Sequence, residues 1–231
     1  MTSMKERGRY NSFVVSNSSI AGVFGYMFLG LLITFAVAFG FFMAAANEII
    51  PIEAFMTTIF ISLFAYIILT FVGTFVMART QNKVTSIVMY SLYCAVLGLV
   101  LSSIFVTFEI TDIIYAVGVT AAIFGIMALY GYFTKRDLSS FGSVLFMFLL
   151  GAMIMSLINI FFISNTLYWI INYIVLAVVI GYVAYDVNLI KRAAREGALS
   201  SSLSVFLAFN LFTDFISIFL RILMIIARNK D

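Results

Sequence analysis

Seven long apolar stretches dominate the sequence, near residues 20–45, 54–78, 84–106, 112–133, 140–163, 166–190 and 204–227. Each is roughly 20 to 26 residues long, the helix length needed to cross the hydrocarbon core of a bilayer. Every backbone N–H and C=O in that core must be paired within the chain, so only helices or closed barrels can cross it. Outer-membrane strands read as runs of about ten residues with alternating polarity. These stretches are too long and too uniformly apolar for that pattern. The sequence predicts an all-α polytopic membrane protein in which residues 1–231 form a single transmembrane domain and residues 1–19 a short cytoplasmic tail. Composition agrees, since the chain is 64% hydrophobic and 10% charged, against roughly 25% charged in soluble domains.

The charges also set an orientation. Lys5, Arg7 and Arg9 precede the first span, Arg79 and Lys83 lie between the second and third, Lys135 and Arg136 follow the fourth, and Lys191, Arg192 and Arg195 follow the sixth. All fall on one side of the bilayer. The alternate loops hold Glu48, Glu53, Glu109 and Asp112 without Lys or Arg. The positive-inside rule then predicts a cytoplasmic amino terminus. One conflict is visible, because seven crossings put Arg228 and Lys230 outside; either the last segment is re-entrant or it simply tolerates its short basic tail. The apolar core of the first span is far longer than the 7–15 residues of a signal-peptide core, and it is expected to be retained. Pro51 is the only proline, so any break within a span must come from Gly, Ser or an inserted side chain.

Several chemistries are excluded. The chain has no histidine, which removes HExxH metal sites, Ser-His hydrolysis and any imidazole switch. Cys94 is the only cysteine, so neither a disulfide framework nor a thiolate cluster forms within one chain. The net charge of +3 is spread in small groups at span ends, as topology requires, and does not form a nucleic-acid patch. No cofactor is expected, and the chain is read as a non-enzyme. Small residues along one side of the fourth span, Gly118, Ala122, Gly125 and Ala128, suggest close helix packing.

Two aspartates interrupt the apolar runs: Asp186, about one turn from the cytoplasmic end of the sixth span, and Asp214, near the middle of the seventh. An ionisable residue inside a membrane segment is a functional-site hypothesis by default, and it needs a partner, a proton or a water-filled cavity. Each can partner the other, sharing a proton and titrating as a pair; alternatively each bonds neighbouring hydroxyls and only fixes packing. Asn210, Asp214, Ser217 and Arg221 recur at i, i+4, i+7 and i+11, a polar stripe along one face of the last helix. They are polar pore-face candidates, although Arg221 could instead snorkel outward. Arg79, closing the second span, could bond Asp186 or serve as a headgroup anchor.

The segments YGYFTKRDLSSFGSVLFMFLLG, VAYDVNLIK and FNLFTDFISIFLRIL resemble the Bax-inhibitor, or transmembrane Bax-inhibitor-motif, family over essentially all seven spans, and the short amino-terminal tail resembles its bacterial members. The resemblance implies six helices around a central seventh and a pH-sensitive calcium leak channel gated by a di-aspartyl pair. Carried over by position, the pair is Asp186 and Asp214, where Ca2+ would bind transiently as transported species, and the latch arginine is Arg79. The partners expected are membrane lipid, Ca2+ and protons, in a bacterial inner membrane. Two alternatives stand beside the channel. One is a non-conducting membrane regulator that binds partner proteins. The other is an intramembrane aspartyl protease, which Tyr185-Asp186 fits superficially; the second aspartate of those enzymes lies in Gly-x-Gly-Asp, whereas this chain reads Leu211-Phe212-Thr213-Asp214, and their Pro-Ala-Leu element is missing.

Overall fold

The computed structural model describes the backbone of residues 2–228 and the side chains of residues 20–228. The side chains of the expected 1–19 tail, with Lys5, Arg7 and Arg9, lie outside the described residues, as does Lys230. The elements are α1 (Thr2–Ala46), α2 (Ile52–Arg79), α3 (Lys83–Leu101), α4 (Ile104–Thr107), α5 (Ile110–Phe133), α6 (Ser139–Phe162), α7 (Asn165–Arg195) and α8 (Ser201–Arg228). There is no strand among the described residues. Seven helices are long and apolar enough to cross a membrane, the third being Lys83–Thr107, in which α3 and α4 follow one another. The chain is an integral, multi-pass, all-α membrane protein.

Local chemistry explains where the helices begin and break. Pro51 precedes α2, and its carbonyl accepts from the Phe55 N–H at 3.0 Å; proline's missing donor is harmless at a helix start. Asn82 caps α3, its Oδ1 accepting from the Val84 N–H at 2.9 Å. The α3–α4 break falls at Ser102 and Ser103, whose hydroxyls donate to the Leu99 and Val100 carbonyls at 2.6 and 2.8 Å. Serine thus offers the backbone a local alternative to the helical ladder. At the end of α6, Ile163 adopts φ 48°, an uncommon conformation for a β-branched residue. Asn159 holds it there, accepting from the Ile163 N–H at its carbonyl (2.8 Å) and from the Ser164 N–H at its side chain (3.0 Å). α8 is one unbroken helix of 28 residues, roughly 42 Å long, which fits a crossing and not a re-entrant hairpin.

Two compact units divide the chain: Met1–Ile110 with Ala194–Phe212, and Thr111–Ala193 with Thr213–Asp231. In the first, α3 packs against both α1 and α2. Its core is aromatic and hydrogen-bonded. Tyr93 stacks edge-on against Phe209 at 4.8 Å between centroids, and its hydroxyl meets that of Tyr66 at 3.1 Å. Tyr90 donates to the Tyr26 carbonyl at 3.2 Å, and Thr34 to the Cys94 carbonyl at 3.1 Å. Cys94 is fully buried among these residues.

The second unit is centred on α7, where Val183, Val187 and Ile190 are fully enclosed. Phe124 of α5 packs edge-on against Phe215 of α8 at 5.6 Å. The small-residue surface expected on α5 is corrected here. Gly118 and Gly125 have open space where a Cβ would project, whereas a Cβ on Gly131 would collide with the Ala184 carbonyl of α7. The buried stripe of α5 is Ala116, Thr120, Phe124 and Gly131. Lipid tails are as apolar as leucine, so small residues alone do not reveal which face meets protein.

Candidate functional site

Asp186 and Asp214 both belong to the second unit. Asp186 is 6% exposed. α7 continues to Arg195, past the expected span end, so Asp186 sits nine residues, or roughly 13 Å, from the end of the helix. Asp214 lies near the middle of α8, and its Oδ2 is buried with no hydrogen-bond partner among the described residues. The Asp214 carboxyl lies within electrostatic range of Asp186. The Tyr182 hydroxyl is within range of both carboxylates. The structure thus brings two carboxyls and a phenol from α7 and α8 together in a membrane-spanning segment.

Tyr182 was absent from the sequence-level candidates. Its signal was available, because it precedes Asp186 by four residues and so shares that face of the helix. Tyr185 stacks edge-on with Tyr182, centroids 6.1 Å apart. A Cβ on Gly142 of α6 would fall 2.7 Å from the Tyr185 ring, so glycine there admits the ring against the backbone.

Below the carboxylates, the next two turns of α7 form a polar buckle on the α5–α6 connection. Asn188, 2% exposed, donates to the Gly131 and Arg136 carbonyls at 3.3 and 3.4 Å and accepts from the Leu138 N–H at 3.4 Å. Lys191, 6% exposed, donates to the Tyr132 and Thr134 carbonyls, each at 2.7 Å. An ammonium at these carbonyls satisfies acceptors that every helix end leaves open and complements the negative end of the helix dipole. Lys191, read from sequence as a topology charge, is a buried clamp on the end of α5. Arg192 Nη1 and Asp137 Oδ1 form an ion pair at 2.6 Å. The Ser139 N–H, donating to Asp137 at 2.8 Å, is the first cause holding that exposed carboxyl below its ordinary range, and the nearby Arg192 adds to it.

Arg79 closes α2 in the first unit, its guanidinium 4.0 Å from the centroid of the Phe75 ring of its own helix. On the α8 stripe, Asn210 falls in the first unit and Asp214, Ser217 and Arg221 in the second, all half-buried. Arg221 does not snorkel freely: its Nη1 donates to Asn172 Oδ1 of α7 at 3.0 Å. Of the acids in the loops without Lys or Arg, Asp112 is buried and engaged with its surroundings. No three His, Cys, Asp or Glu side chains converge as a metal cage among the described residues.

The sequence pattern of the family described as "Inhibitor of apoptosis-promoting Bax1" matches residues 16–231. The chain is similar to "Inner membrane protein YbhL" of Escherichia coli strain K12, 36% identical over 219 residues that cover 91% of this chain and 92% of YbhL. It is also similar to a Borreliella burgdorferi protein, 32% identical over 225 residues that cover 94% of this chain and 95% of that one. Nearly the whole membrane domain is shared, and the chain belongs to the Bax inhibitor family.

Proposed function

We propose that the chain is a pH-sensitive calcium leak channel of a bacterial inner membrane, with a cytoplasmic amino terminus and gating by the Asp186/Asp214 pair. The supporting observation is the placement of two carboxyls from α7 and α8 in electrostatic range of each other, with one oxygen of Asp214 buried and unpartnered. Such an oxygen calls for a proton, a cation or water, and all three belong to a proton-linked cation path. A resident Ca2+ takes about six to eight oxygens, and two carboxylates supply fewer. Calcium is therefore cargo that pauses at Asp186 and Asp214 with part of its water shell, past the polar face of Asn210, Ser217 and Arg221.

Proton exchange changes the charge of the pair, and a conformational equilibrium follows whichever state that charge favours. Arg79 acts as the latch, favouring the closed state through a bond to Asp186; this part rests on the family resemblance. The similarity to the Escherichia coli inner membrane protein YbhL supports the inner-membrane location, and the one-sided Lys and Arg distribution supports the orientation. The test is calcium entry into proteoliposomes at several pH values, for the native chain and Asp186→Asn. A pH-dependent flux altered by Asp186→Asn is expected. No flux at any pH would replace the channel by the non-conducting regulator, with the aspartates as a structural switch.

A further inference from the structure

Asp214, Ser217 and Arg221 stand one above another on a single face of α8, at i, i+3 and i+7. All three are half-buried and belong to the second unit. The Oδ2 of Asp214 and the Nε of Arg221 are enclosed with no hydrogen-bond partner among the described residues. The helix itself does not serve them, because its backbone N–H and C=O groups are already paired with one another. Nor do they meet directly. Seven residues separate them by a rise of roughly 10 Å, and no ion pair joins them among the described residues. Ser217 lies in that gap, a neighbour of both at this spacing, and its hydroxyl can donate and accept. From Asp214 to Arg221 the face thus presents an acceptor, a group that does both, and a donor.

The groups around this face leave the carboxyl without a cation. Asp186 and Tyr182 of α7 lie within electrostatic range of Asp214, and Tyr168 of α7 lies within range of Arg221. α5 meets α8 with the uncharged Phe124 on Phe215. Along α8 itself Arg221 is the nearest cation, since Arg228 stands seven residues further on, 4.2 Å from the centroid of the Trp169 ring. Asn172 of α7, 2% exposed, accepts from Arg221 Nη1 at 3.0 Å and fixes the guanidinium while leaving Nε unused. A carboxyl and a cation on one helix face, each with an enclosed and unmet polar atom, call for water between them. A bridging water held by two to four polar partners serves nearly as well as a direct hydrogen bond.

We propose that Arg221 is the counter-ion of Asp214, acting through Ser217 and ordered water along α8. The pair then has a cation of its own besides the Asp186–Arg79 latch, and a calcium ion reaching Asp214 takes over a role that Arg221 fills in its absence. The inference rests on the channel reading for this part in gating, and its test reads unfolding instead of calcium, so either can fail alone. Thermal midpoints of the full chain in detergent, at alkaline pH, close a double-mutant cycle of Asp214→Asn with Arg221→Gln. The bond to Asn172 is lost in both backgrounds and cancels. Sites this far apart without a shared network are additive, whereas the relay predicts that Arg221→Gln lowers the midpoint by at least about 3 °C more in the native background than in Asp214→Asn. That difference should fall by half or more when the cycle is repeated in Ser217→Ala, and should survive in Ser217→Thr, which keeps the hydroxyl. A second cycle, of Asp214→Asn with Ser217→Ala, should show coupling of the same sign. The proposal is overturned if the Arg221 cycle is additive within about 1 °C, or if its coupling persists undiminished in Ser217→Ala. Should Arg221→Gln fail to fold, the Ser217 cycle decides alone, and additivity there overturns the proposal equally.

Discussion

Replacing Lys191 with methionine separates a buried clamp from a topology charge. Methionine keeps the length and apolar stem of the side chain but loses both bonds to the Tyr132 and Thr134 carbonyls, at 2.7 Å each. A hydrogen bond with a charged partner contributes about 1.5 to 3 kcal/mol. Losing two therefore removes about 3 to 6 kcal/mol and leaves the end of α5 with unmet acceptors. Removing a buried ammonium also removes its desolvation penalty, which offsets part of that loss. The net expectation is a destabilisation of about 2 to 4 kcal/mol, or a midpoint roughly 5 to 15 °C lower for a chain of this size. The assay is thermal unfolding of purified protein in detergent, with exposed Lys135→Met as the control, which should stay within about 0.5 kcal/mol of native. If Lys191→Met inserts normally and melts with Lys135→Met, the side chain is an ordinary positive-inside anchor and the clamp is refuted.

Four further outcomes are expected. Asp214→Asn should change the pH midpoint at which Asp186 acts on leak, and an unchanged Asp186 titration would show that the two carboxyls are independent. Arg79→Ala should increase resting calcium leak roughly ten- to a hundred-fold, from loss of one charge-assisted bond; leak equal to that of the native chain and of Arg79→Lys would reduce Arg79 to an anchor. Gly131→Ala drives a methyl into the Ala184 carbonyl, forcing α5 from α7, and should destabilise by about 1 to 3 kcal/mol, whereas Gly118→Ala, with open space around it, should be tolerated in the same melt. The Asp137 carboxyl is held below its ordinary range, so its contribution is fully present above an unfolded value of about 3.9 and is lost only as pH falls through its lower folded value. Asp137→Asn should therefore leave the shape of the leak profile between about pH 5 and 8 unchanged, and a changed shape would place Asp137 in the sensor.

Sequence by itself determined what depends on local composition and spacing. Run length set the seven spans, because a helix crossing hydrocarbon needs about 20 apolar residues whatever its neighbours are. The same arithmetic isolated Asp186 and Asp214, since a carboxyl in such a run is conspicuous before any packing is known. The sequence limited the cause of any break to Gly, Ser or an inserted side chain, but that the third span breaks at Ser102 and Ser103 was decided by the structure. Tertiary structure alone decided which way each side chain faces. Lys191 and Lys135 look alike in sequence, yet one is buried against the end of α5 and the other is exposed. Gly118, Gly125 and Gly131 share one helix, yet only Gly131 meets a neighbouring backbone. Arg221 read equally well as a snorkelling cation until Asn172, forty-nine positions away in sequence, was found against it. The reason is physical. In water a helix declares its inner face by hydrophobicity, but in a bilayer both lipid and protein interior are apolar, so hydropathy fixes the crossing and leaves the rotation to packing and hydrogen bonds.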